Sequence, residues 1–140
     1  MHTHLPEAGT ILAKYPPLYV AVHPHYGRGV YTSTDISEGD IIEVCPLIVL
    51  NVEDRAVTEL SVLGNYVYEW SQGASITTCA IALGYGSLYN HSSEQHNAYY
   101  MNDERCGTIE IVAERNIAAG SEILIDYGYE PANASLTQLD

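Results

Sequence analysis

Gly84-Tyr85-Gly86-Ser87-Leu88-Tyr89-Asn90-His91-Ser92 is followed shortly by His96-Asn97-Ala98, and farther on by Glu122-Ile123-Leu124-Ile125-Asp126-Tyr127-Gly128-Tyr129. The first stretch sets a carboxamide, an imidazole and a hydroxyl at the end of an apolar segment, behind glycines that permit a sharp backbone bend. A carboxamide both donates and accepts hydrogen bonds, which suits it to a zwitterionic, amino-acid-like ligand group. The last stretch is an apolar strand closing on a tyrosine and a glycine. Each segment by itself reads as a polar turn or a strand end, and it is their joint presence in this order that sets them apart.

Working outward, short apolar runs alternate with turn residues and predict strands at 18–23, 29–33, 41–50, 65–70, 76–83, 98–102, 108–114 and 122–127. Ser37-Glu38-Gly39-Asp40 and Ala118-Ala119-Gly120-Ser121 each place a glycine where positive φ is needed, and read as two versions of one turn. One helix is expected: Asn51 caps it, Glu53 and Asp54 suit its first turn, Val57, Leu60 and Leu63 form an apolar stripe, and Gly64 ends it. Residues 1–17, ending in Pro16-Pro17, read as an arm without regular structure, and residues 131–140 as a tail. Gly27-Arg28-Gly29 lies between two strand candidates, its glycines leaving backbone groups free to face a ligand. The reading is one mostly β domain, built as several small sheets with one short helix.

With 140 residues and 46% hydrophobic content, the chain has enough apolar material for one core. Phenylalanine is absent and twelve tyrosines carry the aromatic load, so many large buried surfaces bear a hydroxyl that needs a partner. A net charge of −13, with Lys14 the only lysine, repels phosphate backbones and argues against nucleic-acid binding. It would attract a cationic peptide or protein tail. Cys45, Cys79 and Cys106 are odd in number and lack close pairs, which argues against a disulfide framework or a zinc knot. With no secretory leader pattern and no membrane-length apolar run, a soluble intracellular protein is expected, with no membrane partner.

Asn90-His91-Ser92, Asn97, Tyr127-Gly128 and the earlier Gly27-Arg28-Gly29-Val30-Tyr31 together resemble the SET-domain protein-lysine methyltransferases, over roughly residues 18–130 and in the same order. The resemblance implies a β-clip-like SET fold whose C-terminal segment passes through a loop as a pseudoknot. It further implies S-adenosylmethionine as cofactor, held by Gly27, Arg28, Gly29, Asn90, His91, Tyr127 and Tyr129. Tyr127 is implied as the catalytic hydroxyl, with Tyr66, Tyr68 and Tyr100 as further tyrosines of a lysine channel. The family's cysteine-rich segment after the tyrosine has no counterpart here, as in small microbial and virus-encoded SET proteins. Tyr129, the tail or a second subunit, hence a homodimer, must then finish the channel.

The chemistry fits those residue types. Methyl transfer from a sulfonium to an amine is an in-line displacement that needs a neutral nitrogen and alignment but no covalent enzyme intermediate. Oxygen atoms contact the polarised methyl through C–H···O interactions worth ~0.5–1 kcal/mol each. Lysine in water has a pKa near ~10.4, so a narrow aromatic channel that desolvates the ammonium favours proton loss. The expected substrate is a basic protein, a histone-like tail foremost. Tyr66 and Tyr68 share a strand face if that strand is regular, Tyr99 and Tyr100 point to opposite faces, and Tyr129 and Trp70 are candidate aromatic lids. Two other readings compete: a catalytically degenerate SET binding module, and a metal-dependent β enzyme using His23, His25, His91 and His96.

Overall fold

The computed structural model describes residues 6–25, 27–72 and 75–128. In chain order its elements are β1 (Ile11–Tyr15), β2 (Leu18–His23), β3 (Gly27–Thr32), β4 (Ile41–Leu50), α1 (Val52–Thr58), β5 (Val67–Gln72), β6 (Ser75–Ala82), β7 (Asn90–His91), β8 (Ala98–Asp103), β9 (Thr108–Ala113) and β10 (Leu124–Ile125). Short 3₁₀ turns cover Val62–Asn65 and Gly86–Leu88. The fold is mostly β, as the alternating pattern predicts.

A three-stranded sheet has the order β1-β2-β3, and a seven-stranded sheet the order β5-β6-β4-β9-β8-β10-β7. The long strand β4 serves two partners in turn, β9 through Ile41–Pro46 and β6 through Leu47–Leu50, so the larger sheet behaves as small sheets sharing one strand. Val20, Val30, Ile109, Ile111, Ile123 and Ile125 are among the buried side chains that form the common core. The two glycine turns are indeed one device used twice. Gly39 and Gly120 have φ of 88° and 87°, and Ile36 bridges Ile117 between them. Asn116 Oδ1 accepts the Glu38 amide while Asp35 Oδ1 accepts the Ala119 amide, so each turn is capped from the other's flank.

Two expectations are corrected. Within residues 1–17, Ile11–Tyr15 is a strand antiparallel to β2, with Tyr15 opposite Leu18, so Pro16-Pro17 is a two-residue hairpin connection rather than the end of an irregular arm. The helix has its Asn51 cap, which accepts the Asp54 amide at 2.8 Å, but it ends at Thr58. Leu60 and Leu63 therefore fall beyond it, and no residue of α1 is buried; Val57 and Leu60 are 70% and 89% exposed. What ties α1 down is polar: Arg55 donates to both Glu69 carboxylate oxygens and to the Thr78 carbonyl.

β10 lies between β7 and β8 and runs parallel to both. Those two neighbours are consecutive in the chain, joined by residues 92–97, so the C-terminal segment is threaded under their connection, the implied pseudoknot. Asn97 clamps it: its Nδ2 donates to the Glu122 carbonyl and its Oδ1 accepts the Leu124 amide, both at 2.9 Å. The second asparagine is thus explained as the lock on the threaded segment.

Candidate active site

Parallel pairing of Leu124 with Asn90 and Ile125 with His91 carries Tyr127 to the Asn-His pair. The Tyr127 amide donates to His91 Nδ1 at 2.9 Å, and the two rings stand 4.8 Å apart. Because Nδ1 accepts, a neutral His91 carries its proton on Nε2. His91 therefore orients the tyrosine in this structure, whatever its backbone offers a ligand.

On the other side of Asn90 stands the start of β3. Gly27 has φ of 81°, a conformation open to glycine, and begins the strand itself rather than preceding it. Asn90 is 2% exposed; its Nδ2 donates to the Arg28 carbonyl at 2.9 Å and to Glu122 Oε2 at 2.6 Å. Arg28 Nη2 reaches the Tyr66 hydroxyl at 3.4 Å. Arg28, Asn65, Tyr66, Ser87, Leu88, Tyr89, Asn90 and Tyr127 line one cleft.

Tyr127 also borders a cluster of tyrosines. Its hydroxyl donates to the Tyr89 carbonyl, and the Tyr68 hydroxyl donates to the Gly86 carbonyl at 2.7 Å. The Tyr68 ring lies 4.8 Å from that of Tyr100 and 6.4 Å from that of Tyr127, both edge-on. The Tyr100 hydroxyl is 3.5 Å from the Tyr127 carbonyl. Burial pushes the Tyr68 and Tyr89 phenols well above their ordinary range; burial, then Glu69 and Asp126, raises Tyr100. These three phenols stay neutral near pH 7, so they supply dipoles and no anion.

Tyr100 reaches this cluster while Tyr99 is 38% exposed, in keeping with strand alternation. Tyr66 does not share a face with Tyr68: β5 starts at Val67, and Tyr66 caps the preceding 3₁₀ turn and joins the Arg28 side of the cleft. Trp70 is no lid but a core side chain, 3% exposed, on the same strand face as Tyr68. Tyr129 lies outside the described residues. Three participants carry no motif signal: Glu122, Glu43 and the Tyr89 phenol, whose hydroxyl donates to Glu43 Oε1 at 2.7 Å. Tyr89 adjoins Asn90 in sequence, and in a chain that uses tyrosine for its aromatic core its hydroxyl had to find a buried partner.

Of the four histidines of the metal reading only His23 and His25 stay together, with rings 5.8 Å apart. His23 faces Glu122, His91 faces Tyr127 and Asp126, and His96 lies 3.2 Å from Glu114. β2 ends at His23, before Pro24, and His25 lies beyond it. Among the described residues no group of three His, Cys, Asp or Glu side chains is placed to hold a metal ion. Nor is any of their helices long and apolar enough to cross a membrane.

Residues 27–128 match the SET domain family model, and the chain belongs to the SET-domain family. Its class is therefore that of the S-adenosylmethionine-dependent lysine methyltransferases. Among solved structures, a Plasmodium falciparum protein provisionally described as a histone methyltransferase is 31% identical, covering 80% of this chain and 97% of its own, with a TM-score of 0.63. CpSET8 from Cryptosporidium is 25% identical over 80% of this chain and 57% of its own, with a TM-score of 0.61. The ATXR5 SET domain, solved with a dimethylated histone H3, shares the fold at 17% identity and a TM-score of 0.64, covering 87% of this chain and 62% of its own. No curated protein matches.

Proposed function

We propose that the protein transfers a methyl group from S-adenosylmethionine to a lysine ε-amine of a basic protein, a histone-like tail foremost. The observation that carries this reading is the meeting, at Tyr127, of two kinds of surface. One is the acceptor-rich cleft of Arg28, Asn90 and Tyr89; the other is a cluster of edge-on tyrosines, Tyr68, Tyr100 and Tyr127.

The polar groups of the cleft suit the cofactor's amino-acid end in chemistry. With both Nδ2 hydrogens engaged, Asn90 presents Oδ1 as an acceptor suited to an ammonium group. When bound, S-adenosylmethionine supplies a sulfonium-activated methyl group. The Tyr89 and Gly86 carbonyls and the Tyr127 hydroxyl keep lone pairs beyond the hydrogen bonds they already make, and these can contact a polarised methyl. Burial among Tyr68, Tyr100 and Tyr127 lowers the pKa of an entering lysine, and neutral phenols offer no anion to hold it charged.

The channel mouth supports a cationic substrate. Glu69 and Asp126, the carboxylates felt by Tyr100, are 56% and 42% exposed. The ATXR5 SET domain is solved with histone H3, which supports a histone-like tail as the first candidate to try here. Nucleic acid and membrane are not part of the proposal, and three free cysteines, Cys45, Cys79 and Cys106, fit a reducing intracellular setting. The proposal includes a homodimer: Tyr129, the tail or a second subunit would finish the channel beyond Gly128, and the exposed Val57, Leu60 and Leu63 offer an apolar surface for a second copy. Sedimentation at several concentrations tests that part.

Radiolabelled methyl transfer to a panel of basic proteins, followed by mapping of the modified residue, tests the activity. Label on lysine is expected, and cofactor binding without transfer to any panel member would favour the degenerate binding module. Asn90→Ala is expected to weaken S-adenosylmethionine binding by roughly 1–3 kcal/mol, because it removes an acceptor and strands the Arg28 carbonyl and the Glu122 carboxyl. Calorimetric titration of a folded variant checks this, and unchanged affinity would make the motif a structural turn. Raising salt from about 0.05 M to about 0.5 M shortens the screening length several-fold. kcat/KM for a basic peptide should fall while cofactor affinity moves less; a salt-independent kcat/KM would remove charge as the selector.

A further inference from the structure

Glu122 bears no role in the motif reading, yet its carboxyl sits at the centre of the cofactor-side cluster. Its side chain is 9% exposed, bonded to Asn90 at 2.6 Å through Oε2, with His23 Nε2 3.8 Å from Oε1. The Arg28 carbonyl can only accept and an ionised Glu122 can only accept, so together they turn the Asn90 nitrogen toward themselves and its Oδ1 away. The approach depends on Gly29. A Cβ there would stand 2.2 Å from Glu122 Oε2 and 3.0 Å from Asn90 Nδ2, so the glycine leaves the space the carboxyl occupies.

We propose, on the reading that the cleft takes S-adenosylmethionine, that Glu122 is a positioning residue whose carboxylate holds Asn90 with Oδ1 toward the ligand, so that cofactor binding is coupled to loss of a proton from Glu122. Burial pushes its pKa up to about 7, the Asn90 hydrogen bond opposing the shift. Below that pH the carboxyl is neutral: its hydroxyl can donate, so only the Arg28 carbonyl still requires a donor from Asn90, and no negative charge backs a cationic ligand. Above it both conditions are restored. A cation bound nearby favours the ionised form, so affinity rises with pH through the neutral range and binding releases a proton.

Of the groups facing Glu122, only His23 can also change charge toward the acidic end of this range, and Glu122→Gln leaves that contribution in place. On β2, His23 is held below its ordinary pKa by burial and by His25, so it is neutral at and above pH 7. On β3, Tyr31, which bridges Glu122, is pushed up to about 12 by burial, by Glu122 and by Tyr19. The Arg28 guanidinium reaches Tyr66, and Asn90 on β7 does not titrate.

The test is calorimetric titration of S-adenosylmethionine into the full chain at about pH 6 and about pH 7.5, in buffers of different ionisation enthalpy. For a group titrating near 7 that binds its ligand only when ionised, affinity should rise about 5- to 10-fold over this range, with net proton release at the lower pH. Glu122→Gln keeps an acceptor for Asn90 but cannot ionise. It should bind with a pH dependence reduced to that of His23 and the ligand's own amine, which are common to both proteins, and without the extra proton. Wild-type affinity flat within about twofold, with no proton released, overturns the proposal while leaving the cofactor reading intact. A Glu122→Gln variant that retains the wild-type pH dependence also overturns it, reducing Glu122 to a packing residue. No binding to the wild type at either pH sinks the cofactor reading and this one with it. The wild-type proton count stands by itself if the variant does not fold.

Discussion

Tyr127→Phe is expected to fold, to bind S-adenosylmethionine almost as well as the wild type, and to turn over roughly 10²- to 10³-fold more slowly, by analogy with removing one preorganised donor. The ring that packs beside His91 and Tyr68 remains, and so does the amide that donates to His91 Nδ1, since neither involves the hydroxyl. What goes is the oxygen beside the Tyr89 carbonyl, at the meeting of cleft and channel. The cost to stability is that of one hydrogen bond, about 1 kcal/mol. Circular dichroism, cofactor titration and single-turnover methylation on one preparation separate these effects. Near-wild-type single-turnover rates would remove Tyr127 from the chemistry and turn attention to Tyr68 and Tyr100.

Gly86→Ala should be the more damaging change to the fold. An added Cβ would lie 2.5 Å from the Ala82 Cβ and 2.8 Å from the Cys45 Sγ, and both neighbours are buried, at 4% and 0% exposure. Neither is the movable tip of a long side chain. Overpacking of this kind costs typically 1–3 kcal/mol, and about 3 is expected here because no neighbour can yield. For a chain of this size that corresponds to a fall in Tm on the order of 10 °C. Activity should drop as well, since the Gly86 carbonyl that accepts the Tyr68 hydroxyl must shift with its backbone. A variant with wild-type Tm and turnover would show that the 3₁₀ turn relaxes freely, and that the oxygen at Gly86 is not held where the channel requires it.

Much of the scaffold could be read residue by residue. Alternation predicted the six residues of β2 and the ten of β4 to their ends, and placed Tyr100 and Tyr99 on opposite faces. Asn51 before an acidic first turn predicted the start of α1, and the two glycine turns were recognisable because only positive φ needs glycine there. These are local signals, carried by neighbours a few residues apart. The stripe of Val57, Leu60 and Leu63 misled for the same reason: spacing registers a helical face, but whether the helix lasts long enough to present it, and whether anything covers it, is decided by packing.

Asn90, His91, Asn97 and Tyr127 stood out through the resemblance, but the physical task of two of them was legible only in three dimensions. Asn97 locks the threaded β10, and His91 accepts the Tyr127 amide. The two-residue strand β7 has too few positions for a period-2 pattern to show, whereas β10 lies within the predicted 122–127 run, and each completes the other across the threading. Glu122 was invisible as a site residue because a carboxylate in an apolar strand carries no spacing signature. Its burial against Gly29 and Asn90 arises from residues brought together from three separate segments. Sequence by itself determined most of the longer strands, the glycine turns, the net negative charge and the order of the motifs, since these rest on short-range geometry and composition. Tertiary structure decided which oxygens converge, which phenols lose their water and which carboxyl shares a hydrogen with Asn90, because those depend on contacts between residues far apart in the chain.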